Sequence, residues 1–101
     1  HGVIVTKYTG HGGKYESSEA TAEFLAEIRN IFNQAKIPWQ SGELGKVDEG
    51  GGGTIAKDIA RRGIPIIDIG VGILNMHAPW EVVSKVDLFC TYLAYKAFLE
   101  K

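Results

Sequence analysis

Cysteine occurs once in these 101 residues, at Cys90, so no disulfide can close within the chain. Charge of one sign is also lacking. Eleven Lys and Arg stand against twelve Asp and Glu, for a net charge of -1. That balance leaves no electrostatic footprint for nucleic acid or for an anionic membrane surface. No apolar run approaches the length of about 20 residues that spans a bilayer. There is no signal-peptide pattern, no internal repeat, and no linker long enough to separate two domains. With the lone cysteine, this fits an intracellular origin. An initiating Met is missing too. His1 leads at once into a strand-like segment, as expected of a piece cut from something longer. What is present is ordinary globular material, with 45% hydrophobic and 23% charged residues, which argues against disorder. One domain over 1–101 is expected, with a core that is possible but not generous.

The stretch Ile64 to Glu81 organises the chain. It opens as a β-branched apolar run, the pattern of a strand buried on both faces. It breaks at Gly70 and Gly72, then presents Asn75, His77 and Glu81. Upstream, residues 2–9 read as a strand, and Gly10-His11-Gly12-Gly13 forces a loop carrying Lys14 and Tyr15. Ser17 or Ser18 is the expected N-cap of an amphipathic helix from Glu19 to about Lys36, with Pro38 just beyond its end. A short strand over 37–41, a glycine tract over 50–53 and a short helix from Thr54 follow, with Gly63 as a suitable C′ residue. A long helix is expected from about Pro79 to Phe98, buried through Val82, Val86, Phe89, Leu93 and Ala97 and widened by Val83, Cys90 and Ala94. This alternation predicts an α/β fold, a mixed and mostly parallel sheet with flanking helices.

His77 is the foremost candidate for chemistry. A neutral imidazole is a good zinc ligand, yet a loop histidine satisfied structurally gives the same pattern. No second His or Cys stands near it at a zinc-motif spacing. The run Asp48-Glu49-Gly50-Gly51-Gly52-Gly53-Thr54 would turn backbone N–H groups toward an anion or a carbonyl oxygen. It lacks the Gly-Lys-Ser/Thr ending of a P-loop, and a ligand-free turn fits it equally well. Lys7, Lys14 and Tyr15 suit recognition of an acidic group, or an ordinary solvated loop. Asp68 is expected to be buried, either paired with a neighbour or accepting backbone bonds at the strand end. Trp39 and Trp80 are expected as core or interface aromatics.

Three segments together resemble a known family. Lys7-Tyr8-Thr9-Gly10, the glycine stretch through Thr54-Ile55-Ala56, and Asp68-Ile69-Gly70 through Met76-His77-Ala78-Pro79-Trp80-Glu81 are similar to the C-terminal part of the catalytic domain of the aspartyl aminopeptidase / aminopeptidase I zinc metallopeptidases. The likeness runs through nearly all of the chain, and the Met-His-Ala-Pro-Trp-Glu segment is its specific part. It implies an α/β catalytic domain and a cytoplasmic enzyme assembled as a homo-oligomeric dodecamer. It implies hydrolysis of peptides at their N-terminal residue, often Asp or Glu, at two zinc ions, with other divalent metals as alternatives. By match, His77 is the last metal ligand in chain order. Lys7, Tyr15 and the loop Gly51, Gly52, Gly53 and Thr54 lie along the substrate pocket. The other ligands and the general-base Glu lie upstream in the family, so no catalytic residue falls within these 101 and the chain alone is expected to be inactive. The glycine tract differs from the Pro- and Cys-containing version of eukaryotic members, which bears on preference for acidic residues. The competing readings are a self-associating, non-enzymatic α/β fragment and a small anion-binding module built on the glycine loop.

Overall fold

The structure is a computed structural model that describes residues 1–10, 17–42 and 55–101. Its centre is β1 (Val3–Thr6), a β-branched strand flanked by β4 (Trp39–Ser41) and β5 (Asp68–Val71) in a three-stranded sheet of order β4-β1-β5. The β1–β4 pair is parallel, setting Val3 beside Trp39. The β1–β5 pair is antiparallel, with Val3 opposite Val71 and Thr6 opposite Asp68. The α/β class and mixed sheet are as expected, but the parallel share is confined to one pair among the described strands. Two ribbons complete the strands: β2 (Tyr8–Gly10) with β3 (Ser17–Glu19), and β6 (Ile73–Leu74) with β7 (Val82–Val83).

Side chains alternate across a strand. Val3 and Val5 enter the core, where Ile28 and Phe32 of α1 (Ala22–Gln34) and Cys90 and Ala94 of α3 (Lys85–Leu99) meet them. Cys90 is thus the buried thiol that its helical context predicts. Ile4, on the alternate face, borders a cavity of about 360 Å³ instead. Among the described residues, α1 and α3 thus pack on one face of the sheet, and the cavity borders the other.

Several expected boundaries move, each for a physical reason. The N-cap of α1 is Thr21, not Ser17 or Ser18: its Oγ1 accepts the Phe24 N–H at 3.1 Å, while the serines pair in β3. The helix stops before Pro38 through a Schellman arrangement. Ile37 N–H reaches Phe32 O at 2.9 Å and Lys36 N–H reaches Asn33 O, with Lys36 left-handed at φ 59. The run 64–67 is not a strand, and Ile64 is exposed; Pro65 has no N–H to give a ladder. The central strand is β1, and β5 is only half-buried. The short helix α2 (Ala56–Ala60) ends in a turn that Gly63 closes at φ 75, with its N–H on Ala60 O.

The last helix begins at Lys85 rather than Pro79. Val82 and Val83 pair with Leu74 and Ile73, and Ser84 caps the helix by accepting the Asp87 N–H. Its buried side keeps part of the expected stripe, with Leu93 and Ala97 packed against the core, and shifts away from the rest. Cys90, Thr91 and Ala94 are buried, whereas Val86 is 71% and Phe89 58% exposed. Apolar residues occur on most sides of α3, so periodicity alone leaves the inward face open. The small residues win because they let the helix approach β1 and α1 closely. Thr91 satisfies its hydroxyl on Asp87 O at 3.0 Å. Asp87 in turn accepts the Gly2 N–H at 2.7 Å, tying α3 to the start of β1. Gly2 is left-handed at φ 79, and a Cβ there would lie 2.2 Å from Pro38 O, so this junction accepts glycine only. Among the described residues no helix is long and apolar enough to cross a membrane.

Candidate metal-ligand hairpin

The hairpin β6–β7 places residues 75–81 at its tip, so His77 stands on a strand-to-strand loop and not at the mouth of a helix. Gly72 separates β5 from β6, and the loop that follows carries Met76 to the sheet face that Ile4 occupies. There Met76 lines the same cavity as Ile4, Thr6, Asp68, Gly70 and Gly72.

The loop is conformationally costly. Asn75 and His77 both occupy the left-handed region, at φ 60 and φ 69. That region costs an ordinary L-residue roughly 1–2 kcal/mol, and Asn and His are among the residues that visit it most readily. Two hydrogen bonds hold the turn. Ala78 N–H donates to Asn75 O at 3.0 Å, and His77 N–H donates to Glu81 Oε1 at 2.5 Å. Asn75→Ala is expected to destabilise the chain by about 1 kcal/mol and Asn75→Gly to be near neutral, as read by urea denaturation. Equal losses in both variants would show that backbone conformation is not what Asn75 supplies.

The His77 side chain is exposed, and among the described residues no hydrogen bond engages either ring nitrogen. Both are open to a ligand. No group of three or more His, Cys, Asp or Glu side chains that could hold a metal ion exists among the described residues. A closed zinc site needs about four ligands. The described residues could therefore supply one imidazole corner of such a site and no more.

The other expected site residues divide in two. Lys7 is exposed in the link between β1 and β2, next to Thr6, which lines the cavity beside Met76. The tip histidine and Lys7 thus each neighbour a residue on one shared cavity. Tyr15, Gly51, Gly52, Gly53 and Thr54 lie outside the described residues, as do His11, Lys14, Asp48 and Glu49. Asp68 is half-buried opposite Thr6 and lines the cavity wall, rather than being fully buried. Trp39 is half-buried, with its indole N–H on Asn33 Oδ1 at 2.8 Å and the Arg29 guanidinium 5.4 Å from its ring centroid. Trp80 is no core aromatic: it stands 85% exposed on the hairpin tip. The residue that sequence reasoning misread is Glu81. A helix starting at Pro79 would put the Glu81 charge in the first turn, but Glu81 is the acceptor for the His77 amide. Its signal was the four-residue spacing from His77 across Pro79, together with Val82-Val83 as a strand pair.

The chain is similar to known proteins along nearly its whole length. The profile of the aminopeptidase I zinc metalloprotease (M18) family matches residues 1–99. A "probable M18 family aminopeptidase 1" of Thermotoga maritima is 52% identical over 101 residues, covering all of this chain and 22% of that protein. Crystal structures of an M18-family aminopeptidase from Thermotoga maritima and of aminopeptidase I from Clostridium acetobutylicum superpose with TM-scores of 0.88 and 0.87. Their identities to this chain are 52% and 51%, each over 97% of it and 22% of the other protein. The chain thus spans little more than a fifth of the length of the relatives it matches. Matched along almost its whole length, it belongs to the M18 aminopeptidase I family of zinc metalloproteases.

Proposed function

We propose that these residues form one corner of the active site of a zinc aminopeptidase that removes N-terminal residues from peptides, and that His77 is a metal ligand. The observation that carries the reading is the His77 ring. It is exposed, engaged at neither nitrogen among the described residues, and carried on a turn that is costly to hold, in a chain belonging to a zinc metalloprotease family. Strain of that kind is kept where a side chain must point one way. In the same proposal the site holds two zinc ions, His77 being the last ligand in chain order. When bound, the metal polarises the scissile carbonyl and activates a water.

This chain's own residues orient and hold. His77 fixes one metal from the hairpin tip. Lys7 follows Thr6 of the shared cavity, where an ammonium suits a substrate carboxylate; the substrate-binding roles of Tyr15, Gly51, Gly52, Gly53 and Thr54 rest on the family resemblance and lie outside the described residues. Among the described residues none is assigned as general base; that role falls to a carboxylate elsewhere in the polypeptide. Cytoplasmic location and homo-oligomeric assembly belong to the same proposal. Exposed Val86, Leu88, Phe89, Tyr92 and Leu99 on α3 support a larger assembled protein, because isolated domains seldom leave so much apolar surface bare.

The test compares the full-length polypeptide with the 101-residue chain on aminoacyl p-nitroanilides. The full-length protein is expected to hydrolyse them, to stop when chelated, and to recover with zinc. The short chain is expected to show no metal-dependent turnover, since one imidazole cannot hold the metals. Metal-dependent hydrolysis by the short chain, or chelator-resistant hydrolysis by the full-length protein, would overturn the reading.

A further inference from the structure

We infer that Glu81 is a positioning residue for the His77 imidazole, acting through the His77 backbone rather than through the ring. The inference rests on the reading of His77 as a metal ligand.

The argument begins with what the hairpin tip must overcome. Two non-glycine residues within three positions are left-handed, at Asn75 and His77. Asn75 is closed by the Ala78 N–H on its carbonyl. His77 has no equivalent backbone closure among the described residues. Its amide proton goes to Glu81 Oε1 at 2.5 Å, a short bond made stronger by the carboxylate charge. Pro79 lies between them and restricts the path of the chain, which limits where the Glu81 carboxylate can sit relative to the His77 amide. Glu81 immediately precedes Val82, which is paired with Leu74 across the hairpin. The acceptor is thus anchored to the ladder, and through its bond the His77 backbone is anchored too. Rotating His77 out of the left-handed region would break the bond and swing the Cα–Cβ vector, so the ring would point elsewhere. A ligand on an exposed loop has no packed core to hold it, and this bond supplies the hold.

The chemistry separates hydrogen bonding from charge. Glutamine keeps a side-chain oxygen at the same reach, whereas alanine removes the acceptor. In the full-length protein, Glu81→Ala is expected to lower zinc affinity by about 10- to 100-fold, the loss usual for residues that orient a metal ligand. Affinity is read by competition with a chromophoric chelator. Glu81→Gln is expected to restore most of it. The second readout needs no metal. Hydrogen exchange of the metal-free protein, followed by mass spectrometry, is expected to speed up in the segment 75–81 of Glu81→Ala, return with Glu81→Gln, and stay unchanged elsewhere. Wild-type affinity and exchange in Glu81→Ala would overturn the inference. Equal losses in the Ala and Gln variants would also overturn it, by showing that charge and not the amide bond matters. His77→Ala separates the two readings. If it binds zinc like wild type, the metal-ligand reading falls; if it loses zinc while Glu81→Ala does not, only the role of Glu81 falls.

Discussion

His77→Ala in the full-length protein is expected to lower zinc affinity and peptide hydrolysis by more than about a hundredfold. Residues that merely orient a ligand typically cost 10- to 100-fold when removed. Deleting a ligand outright takes away one of the few protein donors a catalytic zinc retains. The change should leave the fold alone, because His77 is exposed and its described contact is a backbone hydrogen bond that alanine also makes. Surface changes away from special features usually stay within about 0.5 kcal/mol; the left-handed backbone here adds up to roughly 1 kcal/mol more. Metal content after dialysis, activity, and the melting of the metal-free protein test the two halves together. Full metal retention with full activity would remove His77 from the site.

The second large effect lies in the core. Phe32→Ala is expected to destabilise the chain by about 3–5 kcal/mol, against a total of about 5–15 kcal/mol for an ordinary domain. Phe32 is 1% exposed and among the largest fully buried side chains. It packs in one cluster with Val3, Val5, Ile28 and Ile37, so its loss opens the layer between α1 and the sheet. It also borders an apolar cavity of about 250 Å³, lined further by Phe24, Ile67 and Phe98. Removing the ring would enlarge that void, which puts the expected cost toward the upper end. Urea denaturation of the 101-residue chain gives the number. A loss under about 1 kcal/mol would mean that the α1–sheet layer collapses around the gap or is not the stabilising core.

Much of α1 was legible because its signal is local. Ile28 and Phe32 recur at helical spacing and are buried as that spacing requires. The cap was not legible in the same way. Serine and threonine cap alike, and the choice of Thr21 follows from Ser17 and Ser18 being committed to β3. The inward side of α3 was legible only in part: Cys90, Ala94, Leu93 and Ala97 lie on it as expected, and Val86 and Phe89 do not. With apolar residues on most sides, the contact with β1 and α1 chose Cys90, Thr91 and Ala94 over Val86 and Phe89.

The sequence alone determined the α/β alternation, the family, and His77 as the foremost candidate for chemistry, since each is written in residue identity and local order. The tertiary structure alone decided that β1 is central and that residues 75–81 form a hairpin tip. It also decided that Glu81 serves the His77 amide rather than a helix end. Strand pairing is not local. Val82 and Val83 read equally well as helix or strand until Ile73 and Leu74 offer them a ladder. Once that ladder forms, helix α3 must start at Lys85, and the five residues from His77 to Glu81 close on themselves.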